Sequence, residues 1–152
     1  MVGRIAPVAR YVFATALVVS ACSDDDGGES PIGLGEDAVG TCLLFAEDAG
    51  PDVDELPVVD CATEHTHEIF AVIEHTADVY PGFEALEEFA QTECLGSFEP
   101  FVGVGAFDSE LFYSWFVPTL DGWNDGEDRE VICVLGRHDA AMVTGSMRES
   151  NI

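Results

Sequence analysis

Positive charge is nearly absent from this 152-residue chain, which contains no lysine and five arginines against 30 acidic residues. Two of the arginines, Arg4 and Arg10, lie near the N terminus. Residues 22–152 therefore carry three arginines and all 30 acidic side chains, a formal charge of −27. A field of this sign repels nucleic-acid phosphates and anionic lipid headgroups. Nucleic-acid binding is excluded, and we interpret the acidic surface as a solvated one suited to a salty medium.

Patterns typical of several enzyme classes are also missing. No serine lies in a Gly-x-Ser-x-Gly elbow, no glycine-rich phosphate loop follows a predicted strand, and no Cys-x-x-Cys pair occurs. The acidic segment 121–128 resembles a calcium loop, but Trp123 and Ile132 stand where oxygen ligands are required. We predict a turn there, and we expect a protein that is not an enzyme and has no cofactor.

The apolar run near the N terminus is too short to span a membrane. It holds 11 residues between Arg10 and Cys22, against the ~20 that a transmembrane helix needs. With Arg4 and Arg10 before it, residues 1–21 are typical of a secretory signal peptide. Its end, Val19-Ser20-Ala21-Cys22, resembles the lipobox of bacterial lipoproteins, whose cysteine is diacylated and becomes the first mature residue. The alternative is an ordinary cleaved signal that happens to carry a cysteine.

The mature chain divides into an acidic tether and a domain. Residues 22–36 are rich in glycine and aspartate, which indicates a disordered tether, and the domain is predicted over 37–152. Four cysteines in an exported domain indicate two disulfides. Three connectivities are possible, and we favour Cys42–Cys61 with Cys94–Cys133 because sequential pairing closes short loops. A zinc site built from the same thiols is the disfavoured alternative.

Hydrophobic periodicity predicts five strands and one helix. The strands are expected at 39–46, 56–61, 68–75, 111–117 and 130–135, and the helix from Phe83 to Leu95, ended by Gly96. In the third strand Ile69, Ala71 and Ile73 would share one face and Phe70 and Val72 the other, which suggests a central position. We predict an α+β fold, a small and mainly antiparallel sheet covered by one helix.

The only dense cluster of potential metal ligands is Glu64-His65-Thr66-His67-Glu68. In an extended segment His65 and His67 would project to one side and Glu68 to the other. A zinc site would need a third ligand, for which Glu68 and His75 are candidates. We expect a hydrogen-bonded structural role for the histidines. Binding of a metal or small ligand by His65 and His67 is the alternative.

The segment from Cys61 to Ile69 resembles the Cys-x-x-x-His-x-x-Glu-Val signature of the septum-formation domain of actinobacterial envelope proteins. Four further stretches fit that family in order: Gly40–Leu43, Pro118-Thr119 followed by Trp123, Gly126-Glu127-Asp128-Arg129 leading to Cys133, and Thr144–Met147. The resemblance spans about residues 38–148. The family's usual Gly-Asp-Arg stands here as Gly-Glu-Asp-Arg. Because this motif is one residue longer, Arg129 is displaced from the position that the family's arginine takes.

The resemblance implies a connection with cell-division septa but no established activity or ligand. It marks His65, Trp123 and Arg129 as candidate binding positions. A structural role is expected for each: His65 bonding backbone near a disulfide, Trp123 capping the core, and Arg129 beside acidic turns. We expect a lipid-anchored protein on the extracytoplasmic face of the cell membrane, with envelope or division proteins or the cell wall as partners.

The anchor yields a first prediction. Replacing Cys22 by serine (Cys22→Ser) should release the protein from the membrane fraction or leave an unprocessed precursor, because only a thiol accepts the diacylglyceryl thioether. Ser23→Ala is the matched control and should remain anchored. Membrane fractionation with intact-mass spectrometry measures both. A Cys22→Ser protein that stays membrane-bound with an ordinary cleaved mass would contradict the lipoprotein interpretation.

Overall fold

The computed structural model describes residues 35–46 and 56–152, in which five strands form one sheet. The strands lie in the order β2-β1-β3-β5-β4, and each pairing is antiparallel. Their bounds are β1 (Cys42–Leu43), β2 (Val58–Val59), β3 (His67–Glu74), β4 (Leu111–Phe116) and β5 (Glu130–Arg137). The helices are α1 (Phe83–Val102) and the short α2 (Leu120–Asp125), and a 3-10 turn spans Glu36–Ala38. The predicted α+β class is confirmed, with β3 at the centre.

A β-bulge in β3 changes which side chains face the helix. The register passes from Ile69 opposite Val134 to Ala71 opposite Cys133, so Phe70 is an extra residue. Phe70 and Ala71 consequently pack in the same core, beneath α1, whereas Ile69 packs on the opposite face of the sheet. The predicted simple alternation along this strand is therefore wrong. The inserted residue shifts the alternation by one position, so the residues after it lie on the opposite face from the one predicted relative to Ile69.

Helix α1 is seven residues longer than predicted. It continues through Gly96 and Pro100 and ends at Gly103, which has φ 93° and whose N–H bonds the Glu99 carbonyl oxygen at 2.8 Å. A mid-helix glycine costs about 1 kcal/mol. Burial of each large apolar side chain contributes about 1.5–3 kcal/mol, and the buried stripe continues through Phe98, Phe101 and Val102. Burial of these side chains therefore stabilises the longer helix by more than Gly96 destabilises it. Pro100 lies in the last turn of the helix.

The two faces of the sheet carry separate apolar clusters. The larger lies under α1, and the residues that α1, β4 and β5 contribute to it include Ala90, Cys94, Phe98, Leu111, Val131, Cys133 and Leu135. The smaller one lies on the opposite face and contains Ala38, Leu43, Leu56, Ile69, Ile132 and Val134. Partly buried Phe45, Val72 and Phe116 pack against it. Both faces are therefore apolar, as the composition of β3 predicted.

Both predicted disulfides are present. Cys94–Cys133 joins α1 to β5, and Cys42–Cys61 joins β1 to the turn after β2. The first two strands are two residues each, much shorter than predicted, and the covalent bond holds this edge of the sheet where the ladder is brief. Within the described residues no helix is both long and apolar enough to cross a membrane.

The predicted turn at 121–128 begins as a helix instead. The Thr119 hydroxyl oxygen accepts a bond from the Gly122 N–H at 3.0 Å, an N-cap that starts α2. Most of the predicted tether, residues 22–36, lies outside the described residues. The described part begins at Gly35, whose N–H donates to Glu130 Oε1 at 2.9 Å.

Removing the Cys94–Cys133 bridge should strongly destabilise the domain. The double variant Cys94→Ala/Cys133→Ala should lose about 2–5 kcal/mol in the free energy of unfolding, because the unfolded chain regains loop entropy. Urea denaturation measures this, and Cys22→Ser, which removes a thiol outside both bridges, is the control. A change below about 1 kcal/mol would show that packing alone holds α1 on the sheet.

Candidate functional site

A buried polar cluster lies where β1 meets β3. A sulfur, a nitrogen and a carboxylate oxygen from Cys42, His65 and Glu68 lie within 4.8 Å of one another. All three side chains are inaccessible to solvent. The backbone of His65 is fixed by two hydrogen bonds with Val143, each of 2.9 Å, that form an isolated antiparallel bridge.

The Glu68 carboxylate holds the C-terminal segment on the sheet. Its Oε1 accepts a bond from the Ser146 hydroxyl at 2.6 Å, and its Oε2 accepts the Met147 N–H at 2.5 Å. Bonds to an ionised acceptor are among the stronger ones in proteins. The prediction that Glu68 points away from both histidines is confirmed for His67 and wrong for His65. His65 precedes the first residue of β3, His67, so the chain from His65 to Glu68 is not one continuous strand.

The His65 ring makes one hydrogen bond. Its Nδ1 lies 2.8 Å from the Thr63 carbonyl oxygen, which can only accept, so Nδ1 carries the proton. In the neutral ring Nε2 then presents a lone pair, and no group in the described part of the chain bonds Nε2. The ring thus bonds backbone beside the Cys42–Cys61 disulfide, which is the structural role expected for it.

His67 lies on the opposite face of the sheet from Glu68. Its ring centroid is 5.1 Å from that of Phe45 and 5.8 Å from that of Phe112. The ring crosses Gly136, where a Cβ would come within 3.2 Å of Nε2, so glycine is needed at this point of β5. Burial lowers the pKa of His67. A metal site shared by His65 and His67 is therefore not formed.

A cavity of about 260 Å³ adjoins the His67 ring. We call it the His67 cleft, and define it by Phe45, Thr66, His67, Phe112, Arg137 and Met142. Two phenylalanines and a methionine make its walls mostly apolar. It lies on the sheet face that α1 leaves uncovered.

Trp123 and Arg129 form a second cluster at the far end of β3. The Arg129 Cζ lies 4.0 Å from the Trp123 ring centroid, and Nη1 donates to the Trp123 carbonyl oxygen at 2.7 Å. The rings of His75 and Tyr80 contact the same indole, each at 5.6 Å between centroids. Trp123 is buried, so it closes the core rather than offering a binding surface.

Arg129 also lies beside the acidic turn that follows α2. Its Nη1 donates to the Asp128 carbonyl oxygen at 3.0 Å. Burial raises the pKa of the Asp128 carboxyl, and the nearby Arg129 charge opposes that shift. The three candidate positions therefore do not form one site. His65 precedes β3, whereas Trp123 and Arg129 pack beyond its last residue.

Comparison with protein families identifies the relationship. A family model described as "Septum formation" matches residues 36–133. The chain belongs to the septum-formation family. The match includes His65, Trp123, Arg129 and both disulfides, and it connects the protein with septum formation. No curated protein matches the chain, and no solved structure does.

Sequence reasoning missed the partners of Glu68. The signal was available, because Glu68 is a lone charge at the start of the apolar run Ile69–Ile73, and a buried carboxylate requires hydrogen-bond donors. Which donors it finds depends on the path of the C-terminal segment. Ser146 and Met147 lie beyond the residues that the family model matches.

Glu68→Gln tests this cluster. The amide would place N–H groups or a weaker acceptor against the Ser146 hydroxyl and the Met147 N–H, leaving a buried donor unsatisfied. We expect the free energy of unfolding to fall by about 1–3 kcal/mol. Glu88→Gln on the exposed face of α1 is the control and should change it by less than about 0.5 kcal/mol. Equal stability of the two variants in urea denaturation would show that these bonds contribute nothing.

Proposed function

We propose that this protein is a non-enzymatic interaction domain, lipid-anchored at Cys22 on the outer face of the cell membrane. It contacts a division protein or a protein of cell-wall growth. Membership of the septum-formation family supports the septal context. The lipobox supports the anchor, and two disulfides are characteristic of an oxidising, exported environment.

The non-enzymatic part of the proposal follows from the groups that are already engaged. The described cysteines are all paired in disulfides, so none of them is a free nucleophile. Both oxygens of the buried Glu68 accept hydrogen bonds that hold the C-terminal segment. Trp123 and Arg129 pack on each other. These are contacts of a scaffold, and they favour binding over catalysis.

The His67 cleft is the surface that fits a protein partner. Pockets that bury small-molecule ligands usually have volumes of about 300–1,000 Å³, and the cleft measures about 260 Å³. It is therefore better matched to one protruding apolar side chain of a partner than to a small ligand. His65 lies on the other face of the sheet. A ligand in the cleft would therefore contact His67 but not His65, which disfavours the alternative of a ligand shared by the two histidines.

The rim of the cleft is held in a strained conformation. Ala140 has φ 56°, a left-handed conformation that costs a non-glycine residue about 1 kcal/mol or more. Its N–H donates to the Arg137 carbonyl oxygen at 3.1 Å, and Asp139 Oδ1 accepts the Ala141 N–H at 3.1 Å. This turn presents Met142, which is 55% exposed. Strained backbone clusters at functional sites, and here it adjoins an apolar side chain that lines the cleft.

Arg137 fixes the same turn through its charge. Its Nε lies 2.9 Å from Asp139 Oδ1, and its Nη2 lies 3.1 Å from Glu110 Oε2. The guanidinium lowers the pKa of Asp139 to about 2, so this carboxylate stays ionised across the physiological range. The Arg137–Asp139 ion pair of the rim is therefore retained across that range.

Proximity labelling in living cells tests the proposal. A biotin ligase fused after Ile152 of the full chain should label proteins of the division or wall-growth machinery, and the fusion should concentrate at septa. Met142→Glu should reduce labelling of those partners several-fold, because a charge at the rim opposes burial of an apolar contact. Val79→Glu is the matched control, since Val79 is an exposed apolar residue beyond the far end of β3.

Two outcomes would contradict this assignment. Uniform distribution of the fusion over the envelope, with no enrichment of division or wall-growth proteins, would refute the septal role. Equal labelling by the Met142→Glu and Val79→Glu variants would show that the partner does not bind at the His67 cleft.

A further inference from the structure

The unpaired nitrogen of His65 points to a second use of the buried cluster. We propose that reduction of the Cys42–Cys61 disulfide creates a zinc site whose ligands are the two cysteine sulfurs, His65 Nε2 and a Glu68 carboxylate oxygen. The proposal does not depend on the function proposed above. It rests on the geometry of the cluster, on the free lone pair and on the groups that orient the ligands.

The distances suit a tetrahedral site. The ligand atoms of Cys42, His65 and Glu68 lie within 4.8 Å of one another, and the Cys61 sulfur is 2.01 Å from that of Cys42. Zinc bonds of about 2.0–2.3 Å place tetrahedral ligands roughly 3.3–3.8 Å apart. To form the site, the ligand atoms of Cys42, His65 and Glu68 move roughly 1 Å closer to one another. The two sulfurs move apart once the disulfide is broken.

The protonation state of His65 is the one that zinc requires. Its Nδ1–H donates to the Thr63 carbonyl oxygen at 2.8 Å, so in the neutral imidazole Nε2 is the nitrogen with the lone pair. Zinc-binding histidines typically donate their other N–H to a carbonyl or carboxylate oxygen, which fixes the ring. In the described part of the chain, Nε2 is a buried side-chain atom without a hydrogen-bond partner. Among the described residues, this lone pair accepts no hydrogen bond that zinc binding would break.

Glu68 is oriented in the same way. Ser146 and Met147 each donate to one of its oxygens, at 2.6 and 2.5 Å. A carboxylate oxygen has a second lone pair, so either oxygen can bind a metal ion while its existing hydrogen bond persists. Two thiolates, one carboxylate and a neutral imidazole would supply four protein ligands, the number that a closed structural zinc site has.

The reducing step is a thiol–disulfide exchange with a dithiol. Cys61 is half-buried whereas Cys42 is buried, so the attacking thiolate reaches the Cys61 sulfur and expels Cys42 as a thiolate. The second thiol of the reductant then resolves the mixed disulfide and releases Cys61. The dithiol loses two electrons and becomes a disulfide, the protein disulfide gains them, and zinc binding to both thiolates leaves two protons in solvent.

Zinc affinity measured in both redox states tests the proposal. The full chain carrying Cys22→Ser is purified in detergent, and zinc is titrated against a chromophoric chelator before and after anaerobic reduction. Reduction should tighten zinc binding at least about 100-fold. Cobalt(II) in the reduced protein should show the intense visible bands of a tetrahedral site together with thiolate-to-metal charge transfer.

His65→Asn is the decisive variant. Asparagine retains an N–H that can bond the Thr63 carbonyl oxygen, yet it lacks the atom equivalent to Nε2. In the reduced protein it should weaken zinc binding at least about tenfold, and His67→Ala, on the other sheet face, should leave it unchanged. Zinc taken up by Cys94 and Cys133 would persist in both variants and is thereby distinguished.

Several results would overturn the inference. They include equal zinc binding by reduced His65→Asn and reduced wild-type protein, and binding by the oxidised protein as tight as by the reduced one. Nitrogen-15 NMR of the oxidised protein at neutral pH provides a measurement that needs no variant. If both His65 ring nitrogens carry protons, the ring is paired with Glu68 as an ion pair and no lone pair is available for zinc.

Discussion

The disulfide between Cys94 and Cys133 is the bond on which the rest of the structure depends, because it joins α1 to the interior strand β5 in a strongly acidic chain. A formal charge of −27 over residues 22–152 disfavours any compact state through self-repulsion. The three arginines of this part of the chain contact the Trp123 ring, two surface carboxylates and the Phe101 ring. They offset little of that charge. A disulfide stabilises the fold by reducing the conformational entropy of the unfolded chain, and this effect does not depend on the net charge.

The residues that mark the family are largely scaffold. His65 bonds backbone beside one disulfide, and Trp123 with Arg129 closes the core at the other end of β3. The surface that we propose for a partner, the His67 cleft, uses the opposite face of the sheet. The family signature therefore coincides with the scaffold, and the surface that we propose for a partner lies elsewhere.

One buried carboxylate connects the two ends of the domain. Glu68 holds Ser146 and Met147, and it also lies beside His65 and the Cys42–Cys61 disulfide. The edge of the sheet with its two-residue strands therefore depends on a covalent bond and on a polar cluster in direct contact. A zinc ion bound by the reduced cysteines would keep that edge closed where the disulfide no longer did. The cluster is thus both a structural joint and the place where we propose that zinc binds.

The sequence by itself determined the class of fold, the starts of α1, β4 and β5, and the pairing of cysteines that closes the shorter loops. These features depend on side-chain periodicity and on separation along the chain. Tertiary structure alone decided the bulge at Phe70, the continuation of α1 through Gly96, and the meeting of His65 with Glu68. The reason is that each of these depends on residues distant in sequence. The bulge is defined by pairing with β5, the helix is extended by the core that buries Phe98 and Phe101, and His65 is positioned by Val143, 78 residues away along the chain.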